Sequence, residues 1–184
     1  MKRYQIMPVF LILFVLLVSA TAFGQDSLIY MDASGCTGQQ INVDILMNNP
    51  TTPVSTLTIF TSFDTGMLQY VSCTPGSLDP GWIAFDCNES SPGEITIVGL
   101  AAMSIPAGSS GSIVTLTFDV SCPSCVNDDT SSLSITGLID DVAGFTTTDG
   151  TFTYYCAPTP TPTDTPPLPT NTPTITPTPT ITPI

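Results

Sequence analysis

Residues Leu57 to Tyr70, LTIFTSFDTGMLQY, decide the fold. Leu57, Ile59, Thr61 and Phe63 alternate with Thr58, Phe60 and Ser62, a period of two that describes a strand with one face in a core and the other toward solvent. Asp64-Thr65-Gly66 then turns the chain, and Met67, Leu68 and Tyr70 resume an apolar run. A strand, a tight turn and a second strand make a β unit.

The same pattern recurs outward in both directions. Leu28 to Met31 is a short apolar segment, and Ile41, Val43, Ile45 and Met47 alternate with Asn42 and Asp44. Trp82 to Phe85, Ile95 to Leu100, Ile113 to Val120, Leu133 to Ile139 and Thr151 to Tyr155 follow. Asn49-Pro50, Pro75-Gly76, Pro80-Gly81, Pro92-Gly93, Ser110-Gly111 and Asp149-Gly150 separate them as turn signals. No segment carries a helical period with caps. The expected class is all-β, a sandwich or jelly roll.

The ends of the chain have other compositions. Residues 1–24 read as a secretory leader, with Lys2 and Arg3 in a positive n-region, Ile6 to Val18 as the apolar stretch, and Ala20-Thr21-Ala22 as a cleavage site after residue 22 or 24. Residues 25–156 form one domain, long enough to bury a core. From Ala157 to Ile184 the chain is low-complexity Pro and Thr, TPTPTDTPPLPTNTPTITPTPTITPI from Thr159. Proline lacks the amide hydrogen that a sheet or helix uses, so this stretch is expected to be a disordered, polyproline-like spacer.

Charge excludes whole classes of function. Lys2 and Arg3 are the only basic side chains and there is no His, so residues 25–184 hold 15 carboxylates and no side-chain cation. Phosphate backbones and anionic lipids are recognised by Lys and Arg, which excludes nucleic acid and membrane surfaces as partners of the mature chain. Ser-His-Asp and Cys-His catalysis need the absent His, and a Schiff base needs the absent Lys. Carboxylates remain as the available acid-base groups, and Glu89 and Glu94 flank the Pro92-Gly93 turn, a poor arrangement for a glycosidase cleft. The chain is therefore read as a non-enzyme.

Six cysteines, Cys36, Cys73, Cys87, Cys122, Cys125 and Cys156, in a secreted chain read as three disulfides, with fifteen possible pairings. Cys73 with Cys87 is the best single pair, closing a loop of about 15 residues for about 3 kcal/mol on the chain-entropy model. Cys122-Pro123-Ser124-Cys125 has the C-x-x-C spacing, yet it follows a strand and lacks nearby His for zinc, so a structural bond is favoured over redox or metal chemistry. Cys36 and Cys156 are candidates to tie the first and last strands to that C-x-x-C loop. Asp128-Asp129 and Asp140-Asp141 read first as solvated loop carboxylates and second as calcium ligands, with no other cofactor indicated.

The segment Phe63-Asp64, Leu68, Tyr70-Val71 and Pro75-Gly76 resembles the cohesin family, whose strand ends in an aromatic-Asp-Pro turn before a Leu and a strand leading to Gly; Thr65 stands at the family's Pro. GQQINVDILMNN and EITIVGLAAMSIPAGSSGSIVTLTFDV resemble its second strand and a later strand pair, so the likeness spans residues 28–155. It implies a jelly roll of about nine strands and a non-catalytic module that docks a dockerin-type protein in extracellular polysaccharide breakdown or surface assembly. Pro-Thr spacers accompany such modules. Docking in the family uses the outward face of the central strand, here Thr56, Thr58, Phe60 and Ser62, with Thr56, Thr58 and Ala101 at positions of the family's polar docking set. Two other readings are a carbohydrate-binding module, with Trp82 and either Phe85 or Tyr155 as a stacking platform, and a structural surface or adhesion module.

Overall fold

In a computed structural model the described residues are 26–48 and 50–157. The expected leader and all but the first residue of the expected Pro/Thr spacer lie outside them. Eleven strands form two sheets: β1 (Ser27–Tyr30), β2 (Ala33–Gly35), β3 (Gln40–Asn48), β4 (Val54–Ser62), β5 (Leu68–Pro75), β6 (Trp82–Ser91), β7 (Glu94–Ile105), β8 (Ser110–Val120), β9 (Thr130–Asp140), β10 (Thr146–Thr148) and β11 (Gly150–Tyr154). The expected jelly-roll sandwich is the observed architecture, and its two additional strands, β2 and β10, have only three residues each, too short to show an alternation.

One sheet runs β10-β1-β3-β8-β5 and the other β2-β11-β9-β4-β7-β6. From β3 onward the chain changes sheet at almost every connection, with the β6–β7 hairpin as the exception. Neighbours are antiparallel except β1 with β10 and β2 with β11, where the two ends of the domain lie side by side in parallel. Long-range pairing of this kind makes the sandwich one cooperative unit.

The alternation read in β4 is the alternation observed. Leu57, Ile59, Thr61 and Phe63 are buried, while Thr56, Thr58, Phe60 and Ser62 face outward and are partly exposed. β4 lies between β7 and β9, so its inner row sits at the centre of the core, opposite Val43, Ile45, Leu116 and Phe118 of the facing sheet. Phe118 packs edge-on against Phe63 at 5.0 Å and Tyr70 at 6.2 Å between ring centroids. After β4, the Asp64 carboxylate accepts the Gly66 amide at 2.8 Å, and its carbonyl accepts the amides of Met67 and Leu68. That Asx turn fixes where β5 begins.

Three disulfides reinforce the sandwich. Cys73–Cys87 joins β5 to β6, the two edge strands on one side, and so staples one sheet to the other. Cys36–Cys156 joins the residues that follow β2 and β11, and Cys122–Cys125 closes on itself after β8. The expectation that Cys36 and Cys156 bond to the C-x-x-C loop is thus corrected. Parallel pairing of β2 and β11 brings their C-terminal ends together, with Cα atoms 4.8 Å apart, a separation a disulfide spans directly. The C-x-x-C loop still meets this junction through hydrogen bonds: Thr37 Oγ1 donates to the Cys122 carbonyl, and Asn127 exchanges hydrogen bonds with the Cys156 backbone.

Candidate docking face

The outer face of β6, β7, β4 and β9 is the candidate site. Register aligns its side chains in rows. One row runs Asp86, Val98, Thr58 and Ile139; the next holds Ala84, Leu100 and Thr56; on the other side lie Asn88, Thr96, Phe60 and Gly137. Val98, Leu100 and Ile139 are 40%, 45% and 50% exposed, values high enough that a partner can bury all three. Together with Ala84, Thr56 and Thr58, Val98 and Leu100 line a shallow hollow that Asp140 closes at one end. Phe60 is less exposed because its ring lies over Gly137, where an added Cβ would sit 3.2 Å from the ring.

Carboxylates border the hollow. Thr58 Oγ1 donates to Asp140 Oδ2 at 2.8 Å, and Asp141 Oδ2 accepts the backbone amides of Ser55 and Thr56 at 2.8 and 2.9 Å. These two amides hold the Asp141 carboxyl below its ordinary value, since they favour its charged form. The sign is that of a depressed acid: its contribution to stability is present above the unfolded carboxylate range and is lost as pH falls through the folded value. A carboxyl-resolved NMR titration should place Asp141 below the ordinary aspartate value, with the Ser55 and Thr56 amide shifts moving at the same midpoint. On β6, Asp86 and Glu89 add negative charge near Tyr70, whose phenol is raised first by partial burial and then by these two carboxylates.

Of the docking residues expected from the sequence, Thr56, Thr58, Phe60 and Ser62 share this face and Ala101 does not. Ala101 is 9% exposed and pairs with Trp82 on the inner side. The bulges at Val54/Thr56 and Trp82/Ala84 set a register that puts Leu100 beside Thr56, and the period of two then turns Ala101 inward. Val98, Leu100 and Ile139 were not foreseen. Their signal was apolar residues at both parities of a strand with only one buried face, Ile97-Val98-Gly99-Leu100 in β7 and Leu138-Ile139 in β9.

The aromatic platform is not assembled. Trp82 and Phe85 face inward at the open edge of the sandwich, 5.4 Å apart and packed against the core. The Trp82 ring occupies the space over Gly99, where a Cβ would come within 2.6 Å of it. Tyr155 is exposed beyond β11, separated from β6 by β9, β4 and β7. Trp82 therefore serves as packing at the sheet edge.

Calcium finds no gathered ligands either. Asp128-Asp129 and Asp140-Asp141 sit at opposite ends of β9. Asp129 accepts the Val126 amide, and Asp140 and Asp141 make the contacts given above. No cluster of three or more metal-ligating side chains occurs among the described residues. Glu89 and Glu94 hold their own hairpin, accepting from the Gly93 amide and the Ser91 hydroxyl.

Solved structures with the same fold are cohesins. A non-cellulosomal cohesin from the archaeon Archaeoglobus fulgidus is 20% identical with a TM-score of 0.60, covering 72% of this chain and 93% of its own. The sixth cohesin of Acetivibrio cellulolyticus scaffoldin B, solved with a Cel5 dockerin, is 20% identical at a TM-score of 0.60, covering 71% of this chain and 99% of its own. The OlpA cohesin of Clostridium thermocellum, solved with a dockerin, is 15% identical at 0.60, covering 72% and 100%. No curated protein matches the sequence. Residues 30–153 match the model of the Cohesin domain, and by that match the chain belongs to the cohesin family.

Proposed function

We propose that this chain is a secreted, non-catalytic docking module that receives a dockerin-type protein on the outer face of β6, β7, β4 and β9, in extracellular polysaccharide breakdown or surface assembly. The exposed stripe of Val98, Leu100 and Ile139 around Thr58 carries the reading, because a flat sheet face with three wet aliphatic side chains is costly unless covered. Cohesins of the same fold have been solved with dockerins. Three disulfides and no free cysteine among the described residues suit an oxidising compartment. Catalysis has no support, since the candidate carboxylates Glu89 and Glu94 are engaged in a turn.

The test is binding of the oxidised chain to an array of dockerin modules and, in parallel, to soluble and insoluble polysaccharides. A dockerin hit weakened severalfold by Phe60→Ala supports the proposal. Polysaccharide binding that quenches Trp82 fluorescence would replace it with a sugar-binding function, and silence on both arrays would leave a structural surface module.

A further inference from the structure

We infer that the Cys122-Pro123-Ser124-Cys125 loop is an exchange site for the chain's own cysteines, which oxidises Cys36 and Cys156 by intramolecular thiol–disulfide exchange as the domain closes. In the finished fold its bond is structural, and the inference is independent of what the outer sheet face binds. Its basis is that four of the six cysteines collect at one end of the sandwich.

Each pair is tied to the other by a neighbouring side chain. Thr37 Oγ1 donates to the Cys122 carbonyl at 2.6 Å, and Asn127 accepts from the Cys156 amide at 2.8 Å while donating to the Cys156 carbonyl at 3.2 Å. Between the pairs stands the Tyr154 hydroxyl, 3.2 Å from Cys156 Sγ, 3.9 Å from Cys36 Sγ and 3.2 Å from Thr37 Oγ1. Exchange proceeds through a thiolate, and residues 25–184 hold no Lys, Arg or His that would favour one. The Tyr154 hydroxyl is a donor placed to stabilise the Cys36 and Cys156 thiolates before they join.

The two bonds differ in the length of chain that each must close. Cys122 and Cys125 are separated by 3 in sequence, Cys36 and Cys156 by 120, so loop-closure entropy favours early formation of the short bond. Cys156 is also the last cysteine to be synthesised. When β11 pairs with β2 it delivers Cys156 beside a loop already oxidised. The Cys156 thiolate attacks Cys125 Sγ, the sulfur of the more exposed partner, and Cys122, 5% exposed, leaves as a thiolate. Cys36 then attacks Cys156 Sγ in the mixed disulfide, forming the native bond and releasing Cys125 as a thiolate. A low-molecular-weight disulfide reoxidises the loop and departs as two thiols. Two electrons and two protons thus pass from Cys36 and Cys156 to that oxidant.

Reoxidation of the reduced, unfolded full-length chain by oxidised glutathione tests the inference, with alkylation at intervals and mapping of the bonds by mass spectrometry. In the wild-type chain Cys122–Cys125 should form first and Cys36–Cys156 after it. In the Cys122→Ser/Cys125→Ser variant, closure of Cys36–Cys156 should slow at least about fivefold relative to Cys73–Cys87 in the same molecules. The Cys36→Ser/Cys122→Ser variant lacks both thiols that resolve the mixed disulfide, so a Cys125–Cys156 bond should accumulate in it. An unchanged ratio of the two closures, whether or not folding slows as a whole, would overturn the inference and leave the loop a structural staple. Formation of Cys36–Cys156 ahead of Cys122–Cys125 would overturn it too, as would a trapping variant in which Cys125 and Cys156 are each bonded to glutathione.

Discussion

Val98→Asp together with Leu100→Asp abolishes partner binding, weakening it by at least about 100-fold, while the domain stays folded. Both residues lie on the outer face of β7 with 40% and 45% of their surface exposed, so their replacement leaves the core untouched. Surface substitutions of this kind typically change stability by no more than about 0.5 kcal/mol, although a strand tolerates Asp less well than Val. On the proposed docking face the same positions sit at the centre of the exposed apolar stripe. Losing one anchor there costs about 2 kcal/mol or more, and an unpaired carboxylate adds its own desolvation. Titration calorimetry of the double variant, with a denaturation curve to establish the fold, makes the comparison. Undiminished binding would move the docking site off this face. Single changes Thr56→Ala and Ser62→Ala, nearer its rim, should each cost less than about 1 kcal/mol.

The second large effect concerns stability. Replacing Cys36 and Cys156 with Ser removes a link across a sequence separation of 120 residues. On the chain-entropy model such a closure contributes about 5 kcal/mol, against about 3 kcal/mol for the 14-residue separation of Cys73–Cys87 and about 2 kcal/mol for Cys122–Cys125. For a domain of this size the first loss lowers the midpoint by roughly 15–20 °C. Calorimetric melting of the three paired Cys→Ser variants should therefore rank them 36/156, 73/87, 122/125 in decreasing effect. The reverse order would mean that enthalpy or residual structure in the unfolded chain, rather than loop closure, governs these bonds.

Sheet faces were legible in the sequence because a period of two leaves little choice when one side must be dry. In β4, β3 and β8 the expected inner residues are the buried ones, except that Ile41 at the start of β3 is half-buried. The Cys73–Cys87 pairing was legible for a related reason, since a short excursion with a Pro-Gly turn brings its own ends together. Cross-strand register was not legible. Bulges at Phe60/Thr61 and Trp82/Ala84 each insert one residue into one strand only, and between Val54 and Thr56 the partner strand runs from Ile105 to Leu100, so the side on which Ala101 falls could not be counted from the sequence. Parallel pairing of β2 with β11 was hidden as well. It joins segments more than 100 residues apart, one of which, Ala33–Gly35, has no apolar alternation. Trp82 fills the edge of the sandwich, the commoner use of a lone aromatic at a strand start, and only the neighbouring sheet decides between that and a platform.

Cys156 stands at the point where the Pro/Thr segment begins, and its bond to Cys36 decides what happens when that segment is pulled. Tension arriving along residues 157–184 reaches the domain at a covalent fork. One branch loads β11 along its hydrogen bonds to β9 and β2; the other passes through sulfur to Cys36, then along the chain into β3 of the opposite sheet. Without the bond, the C-terminal strand would be free to peel from its sheet one residue at a time. With it, the load is shared by two sheets, and strands must shear together for the domain to yield. A pull on that segment is thus met by both ends of the domain through a single covalent thread.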